Sequence, residues 1–386
     1  MARLGEICKF QSGGTPSKGE ASYFNGNIPW ITTVALNGKS INEKSAVDWI
    51  TEKAIEKSAA KIVPTNSVMV GTRVGVGKVA INKVPMSTSQ DIISLIDIDE
   101  SKWSKEFICK FILGKGDYLN SQARGATIKG IKIETLAGLQ LPDIPLEQQC
   151  KIAKVIDTVD NLLALRKEQL AKLEQLVKAR FVELFGDLTS NSYRWETFTL
   201  SECFDITSSK RILKSEWKEQ GIPFLRVRDM VQLATTGKMD NEFFVSEEFY
   251  SSLDDSDGVP KQGDILVSAT STLGKCHIVS AGERFYFKDA DVLRFRPKRV
   301  LHPVFFVEQM KNAYIEEQIA RTLGITTVAH FTIKAAKTIN MRLPDIEVQE
   351  QFSTFVEQTN KTKLTIQASL DKLEVMKKAL MQEYFG

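Results

Sequence analysis

The 386-residue chain is poor in cysteine, histidine and proline, and each scarcity excludes something. Cys8, Cys109, Cys150, Cys203 and Cys276 are odd in number, scattered and never form a Cys-x-x-Cys pair. A zinc ribbon or disulfide framework is therefore excluded, and a reduced, cytoplasmic protein is expected. His277, His302 and His330 show no metal-ligand spacing; His302 precedes Pro303 at a predicted helix start, which suits a cap. No two prolines are adjacent, so the Asn/Asp-Pro-Pro-aromatic loop of amino-methyltransferases is missing. There is no Gly-x-Ser-x-Gly elbow. Pro142-Asp143 and Pro344-Asp345 open like a nuclease motif, but neither is followed in range by acidic-x-Lys. The run from Gly71 to Lys78 resembles a phosphate loop and fails on spacing: five residues separate Gly71 from Gly77, and Val79 stands where Ser or Thr would hold magnesium. No stretch approaches ~18 uninterrupted apolar residues, so no membrane-spanning helix is expected. Met1 to Phe10 lacks the long apolar run of a secretory signal. These absences argue against covalent chemistry, metal binding or a bound cofactor in this chain.

What is present is globular in character: 42% hydrophobic and 26% charged residues, with a mean hydropathy of −0.16. The net charge of +3 and pI near 8.4 permit a nucleic-acid partner without demanding one. The length predicts two or three domains.

The informative feature is an internal duplication. Leu170-Ala171-Lys172-Leu173-Glu174, then Lys178-Ala179 and Phe185-Gly186, recur as Leu370-Asp371-Lys372-Leu373-Glu374, Lys378-Ala379 and Phe385-Gly386. Upstream, Leu141-Pro142-Asp143-Ile144 and Gln149 match Leu343-Pro344-Asp345-Ile346 and Gln351, while Ala123-Arg124 matches Ala320-Arg321 and Ile28-Pro29-Trp30 matches Ile222-Pro223-Phe224. The matches stay collinear at a period of about 200, far longer than a solenoid repeat, so these are duplicated domains.

Each copy opens with a body holding short β-branched runs: Ile28–Val34, Ser67–Gly71, Val79–Asn82 and Ile92–Ile98, then Phe224–Val227, Ile265–Ser268, Cys276–Val279 and Asp291–Phe295. Helix-compatible stretches, Lys102–Leu113 and Pro303–Leu323, lie between them. The expected fold is mixed α/β (α+β), with a first body over residues 1–146 and a second over 187–347. After each body a long helical pattern follows, at 147–186 and 348–386. The first carries a heptad seam of Ile152, Ile156, Val159, Leu163, Arg166, Leu170, Leu173, Val177, Arg180 and Leu184. The second, weaker, has Phe352, Val356, Thr359, Lys363, Ile366, Leu370, Leu373, Lys377, Leu380 and Tyr384. A narrow stripe of this kind suits a helix partner better than a sheet, which predicts an intramolecular antiparallel coiled coil; the alternative is that each helix folds onto its own body.

Two similar bodies on a rod suit a repetitive partner such as duplex DNA, whose half-sites recur about every 34–36 Å on one face. Candidate contacts are polar and basic turn residues. In the first copy they are Ser12, Gly13, Thr15, Lys18, Arg73, Lys78, Ser87, Thr88, Gln90, Arg124, Thr127 and Lys129. In the second they are Lys210, Arg211, Arg226, Arg228, Ser268, Thr270, Thr272, Lys275, Arg321, Thr326, Thr327, His330 and Lys334. Arg and Gln can read base edges, while Ser, Thr and Lys mostly hold phosphates.

Here a resemblance enters. Ser12-Gly13-Gly14-Thr15-Pro16-Ser17 with Ile28-Pro29-Trp30-Ile31, then Gln122 to Thr127, and Leu141 to Gln149 running into a long helix, resemble the target-recognition domain of type I restriction-modification specificity (S) subunits. The second half repeats the plan, so the resemblance covers essentially the whole chain. It implies that each domain reads one half of a bipartite DNA site, and that the helix pair sets the spacer and docks two modification subunits. Those partners would carry S-adenosylmethionine and methylate adenine; restriction subunits would add ATP- and Mg-dependent translocation and cleavage. This chain would be non-catalytic. The sequence departs from the plan where Lys363 and Lys377 interrupt the second seam, and where Thr207 to Arg211 replace the Ser-Gly-Gly-Thr-Pro turn, so the two domains should read different bases. A two-domain protein–protein scaffold, or a nuclease with an unrecognised site, are the alternatives.

Overall fold

The computed structural model describes residues 1–125, 127, 129–239, 241–254, 257–270, 272–323 and 330–386. The chain forms two compact units that do not follow chain order: residues 1–168 with 367–386, and residues 169–366.

In the first unit the hydrophobic runs build two sheets. A five-stranded sheet is ordered Lys9–Ser12, Ile92–Ile96, Val68–Gly71, Val79–Asn82 and Ser40–Ile41, antiparallel except for the last, parallel pair. A four-stranded sheet is ordered Asp48–Ile50, Phe24–Ile31, Met86–Thr88 and Ile62–Val63, with its middle pair parallel. The helix Lys105–Gly114 covers the larger sheet; Ser104 caps it by accepting from the Phe107 N–H at 3.2 Å. In the second unit the corresponding sheets are Phe204–Thr207, Val292–Pro297, Ile265–Ser268 and Cys276–Ile278, and Phe244–Val245, Ile222–Leu225 and Tyr286–Phe287. The register repeats: Trp30 faces Ser87 in a parallel pair, as Phe224 faces Tyr286.

Three expectations are corrected here. The strand expected over Ile28–Val34 starts earlier, at Phe24, and ends at Ile31, before a turn at Thr33–Ala35. Pro303–Leu323 is two helices, Pro303–Gln309 and Ala313–Thr322, because the Asn312 side chain accepts from the Tyr314 N–H and starts the second. The strand expected over Phe224–Val227 ends at Leu225, and a helix runs from Val227 to Thr236 until Gly237 ends it with a positive φ.

The long helices span Leu146–Phe185 and Ile346–Phe385. Each begins in the core of its own body and ends in the core of the other unit. In the first unit Ile152, Ala153 and Ile156 of the central helix join Phe385 of the final helix. Phe385 lies between Phe107 and Phe111, at centroid distances of 5.3 and 5.8 Å. Gly114 makes room: a Cβ there would meet Met381 at 2.8 Å. In the second unit Val177, Phe181 and Phe185 join Phe352 and Val356, and Phe185 stands 4.7 Å from Phe305 and 5.3 Å from Phe352.

Within each unit the helices run antiparallel. The first has Asp160 against Lys377 at 2.6 Å and Lys167 near Glu374 at 3.7 Å. The second has Phe181 against Phe352 at 5.4 Å and Arg180 over Phe355. Seam residues Ile152, Ile156, Val159, Leu163, Val177, Phe352, Val356 and Leu370 are buried. Leu173, Leu184, Ile366, Leu373 and Leu380 are half-buried. Lys377 is accommodated in the seam because Asp160 receives its ammonium group, and Asp160 also accepts from the buried Lys110 at 3.2 Å.

The sequence match of Gln149 with Gln351 is corrected by two residues. The Gln149 side chain is buried, accepts from the Ser104 N–H at 2.9 Å and donates to the Ile144 carbonyl. Its counterpart is Gln349, which accepts from the His302 N–H at 2.9 Å and donates to the Pro344 carbonyl at 2.7 Å. Gln351 is exposed.

Candidate nucleic-acid interface

In the first body the C-terminal ends of strands Lys9–Ser12 and Val68–Gly71 lie beside the start of Ile92–Ile96, because both pair antiparallel with it. The loops that leave these ends are tied together by backbone hydrogen bonds. Gly71 N–H donates to Lys78 at 2.8 Å, Gly77 N–H to Gly71 at 3.0 Å, Thr72 N–H to Asp91 at 2.8 Å and Ile131 N–H to Thr72 at 2.8 Å. Arg124 and Gly130 exchange hydrogen bonds of 2.9 and 3.0 Å, which closes the loop carrying Thr127 and Lys129. The Gln90 N–H reaches the Thr15 hydroxyl at 3.5 Å. One loop surface thus gathers Ser12, Thr15, Arg73, Gln90, Arg124, Thr127 and Lys129, all exposed, and Arg73 has a loose ion-pair partner in Asp91 at 3.8 Å. Lys78 and Lys18 are exposed on the same loops.

The second body repeats the frame with different side chains. Ser268 N–H donates to Lys275 at 2.8 Å, Gly274 N–H to Ser268 at 3.0 Å, Ala269 N–H to Asp291 at 2.8 Å and Phe331 N–H to Ala269 at 2.8 Å. The Ser208 hydroxyl donates to the Val292 carbonyl at 3.1 Å, and His330 lies 2.8 Å from the Ala290 carbonyl, which adds two more segments to the cluster. Lys210, Arg211, Thr272 and Lys275 are exposed there, and Thr270 and His330 are partly so. Lys210 lies 3.9 Å from Asp257.

Several candidates are corrected by their surroundings. Ser87 and Thr88 are fully buried in the strand Met86–Thr88, between two neighbouring strands, and do not reach a phosphate. Gly13 is a packing glycine, since a Cβ would stand 2.2–2.6 Å from Ser89 and Thr88 atoms. Its neighbour Gly14 accepts from the Trp30 indole at 3.1 Å, so this turn braces the two sheets. Ser268 is buried and holds the loop, accepting from the Lys275 N–H at 2.9 Å and donating to the Thr272 carbonyl. Arg226 is committed to Asp229 through two hydrogen bonds of 2.9 and 3.2 Å and stacks over Phe243. Burial pushes the Asp229 carboxyl up, but the Arg226 guanidinium outweighs it and holds the group below the ordinary carboxylate range. Arg321 sits in the last turn of the helix Ala313–Thr322 beside Glu317, whereas Arg124 lies beyond the helix Gly116–Gln122 in a bridge with Gly130. Lys334 is exposed on Ile333–Thr338. Thr326 and Thr327 lie outside the described residues.

The turn Thr33–Ala35 also reaches the first loop surface and carries no sequence signal for it: Thr33 is buried, and a Cβ on Gly71 would stand 3.5 Å from its methyl group. His302 caps its helix, its Nδ1 accepting from the Val304 N–H at 3.3 Å. Burial pushes the Cys109 and Cys276 thiols up to about 12 and Cys203 to about 11, which keeps them protonated at neutral pH. Among the described residues no helix is long and apolar enough to cross a membrane.

The chain has relatives among known proteins. It is 27% identical over 252 residues to the type I restriction enzyme MjaIX specificity subunit of Methanocaldococcus jannaschii, a match covering 60% of this chain and 58% of that one. It is 30% identical over 201 residues to the EcoR124I/EcoR124II specificity subunit of Escherichia coli, covering 50% and 48% respectively. The matches therefore span about half the length of these relatives. The crystal structure of a type I restriction-modification S subunit from M. genitalium shares the fold, with a TM-score of 0.62, 17% identity and coverage of 100% of this chain and 95% of that one. The family model for the type I restriction modification DNA specificity domain matches twice, at residues 1–175 and 193–375. Two copies of one loop-bearing body, each leading into a long helix, thus belong to the type I restriction modification DNA specificity family.

Proposed function

We propose that the chain is the DNA-reading subunit of a type I restriction-modification complex and catalyses nothing itself. Each body engages one half of a bipartite, asymmetric site through its loop surface. The observation that carries this is the repeated backbone frame with a divergent tip: the same four hydrogen bonds frame a loop that closes on a lysine in each body, Lys78 and Lys275, and carries Arg73 in one and Thr270 in the other. A fixed frame with variable tips is what two different sequence readers on one scaffold require. Exposed lysines and arginines neutralise phosphates, and a few tips face base edges. One body alone binds weakly; tethering makes the second engagement intramolecular and raises the overall affinity.

The antiparallel helices act as the spacer and as the docking rod for two modification subunits that bring S-adenosylmethionine. Restriction subunits, where present, bring ATP-driven translocation and cleavage. The test is to map methylated adenine genome-wide in cells making this chain with a type I modification subunit, and in cells lacking this chain. A gapped two-part motif that vanishes without the chain is expected. Unchanged methylation in an otherwise active pair would refute the role.

A further inference from the structure

The duplication places two chemically opposite side chains at one equivalent position. Ile31 and Leu225 are the last paired residues of equivalent strands, facing Thr88 and Phe287 in parallel register. Each carbonyl accepts a hydrogen bond from the strand below, from Ser89 N–H and Lys288 N–H, both at 2.9 Å. Two residues further on, Thr33 and Val227 are both buried, so the turns leave the sheet in step. The third residue is Val34 in the first body and Arg228 in the second. Val34 is 82% exposed and the Arg228 side chain 67% exposed. Both turns adjoin the loop frames described above: a Cβ on Gly71 would stand 3.5 Å from the Thr33 methyl group, and Lys288, which binds Leu225, lies three residues before Asp291, which binds Ala269.

At 82% exposure Val34 contributes nothing to the core of the first body, so its apolar side chain is unexplained by the fold. Arg228 lies 3.4 Å from Glu242, a pair in which both side chains are about two-thirds exposed, and its Nε lies 3.5 Å from the buried Asp229. Such exposed pairs contribute little and exchange readily for a better acceptor. Arg226 beside it shares both acceptors but holds them more closely, at 2.9 Å from Asp229 and 3.1 Å from Glu242, and its side chain is only 26% exposed.

We propose that position 34 and its equivalent 228 are matched specificity positions, one in each half-site. Val34 packs against the C5-methyl group of a thymine, and Arg228 donates to the O6 and N7 acceptors of a guanine in the major groove. This rests on the DNA-reading role proposed above.

The test is the adenine methylome of cells carrying the full chain with a type I modification subunit, for wild type, Val34→Ser and Arg228→Ala. Both side chains are exposed, and circular dichroism checks that the variants keep the fold. Val34→Ser is expected to relax one A·T position in one half-site only. Arg228→Ala is expected to relax one G·C position in the other half-site only. Each loss corresponds to roughly a 5- to 150-fold fall in discrimination. A motif intact in both variants, or a uniform loss across all positions as from a phosphate contact, overturns the assignment alone. A wild-type chain that confers no gapped motif overturns the assignment together with the reading beneath it.

Discussion

Replacing Phe385 by Ala tests whether the far end of the final helix completes the first unit. Phe385 is 4% exposed and stands against both Phe107 and Phe111. Removing a buried phenyl ring costs about 3–5 kcal/mol, of which about 0.5–1.5 reflects ring pairing beyond area. That cost should fall on one unit, because Phe385 contributes to that core only. Native-state hydrogen exchange reads it locally. Amides of Lys105–Gly114 that exchange through opening of the unit should speed up by roughly two to three and a half orders of magnitude. Amides of Pro303–Gln309 should keep their rates. Phe185→Ala is the mirror experiment, since Phe185 packs on Phe305 and Phe352, and it should speed exchange over Pro303–Gln309 instead. Equal acceleration in both units from either variant, or no change over Lys105–Gly114 in Phe385→Ala, would refute the division of the two cores.

Two more predictions concern the joints. Burial raises the Asp160 carboxyl, but Lys377 and Lys110 outweigh it and leave it below the ordinary carboxylate range. A depressed folded value means stability that is present above the unfolded value near pH 3.9 and is lost as pH falls through the folded value. Asp160→Asn should therefore destabilise the first unit by about 1–3 kcal/mol at pH 7. Melting curves from pH 7 to 3 should show wild type and variant converging; a constant gap would refute the pairing. Gly13→Ala forces a Cβ into the Thr88 and Ser89 backbone, so it should cost about 1–3 kcal/mol and weaken DNA binding by the first body. Wild-type melting and binding in that variant would show the turn to be slack.

Much of the scaffold was readable from residue pattern. Val79–Asn82 and Ile265–Ser268 are strands at the residues their β-branched runs mark. The heptads predict the helix pair because an a/d stripe leaves few other ways to bury itself. What escaped was decided at a distance. Ser87 and Thr88 look like a polar turn, yet parallel pairing with Trp30 and Ile31 buries both, and hydroxyls carry no periodic signal of that burial. Lys377 looks like a flaw in a seam until Asp160 is seen opposite it. The Leu-Pro-Asp likeness set Gln149 against Gln351, whereas the buried amide that matters is Gln349; two residues before the helix shift the letters and leave the contacts in place. Loop surfaces were legible as a composition of basic turns, but not which members were occupied: Arg226 and Arg228 share Asp229 and Glu242 as partners and differ in burial, 26% against 67% exposed.

The way each core is closed also bears on synthesis. Residues 169–366 form an uninterrupted unit, so all of it is translated before Phe385. The first unit, although translated first, waits for Phe385 to fill the space beside Phe107 and Phe111. At about 5–20 residues per second, the interval after residue 168 lasts on the order of 10–40 seconds. During it the first body stands with an unfilled apolar socket, and a segment translated after the whole second unit completes the core translated before it.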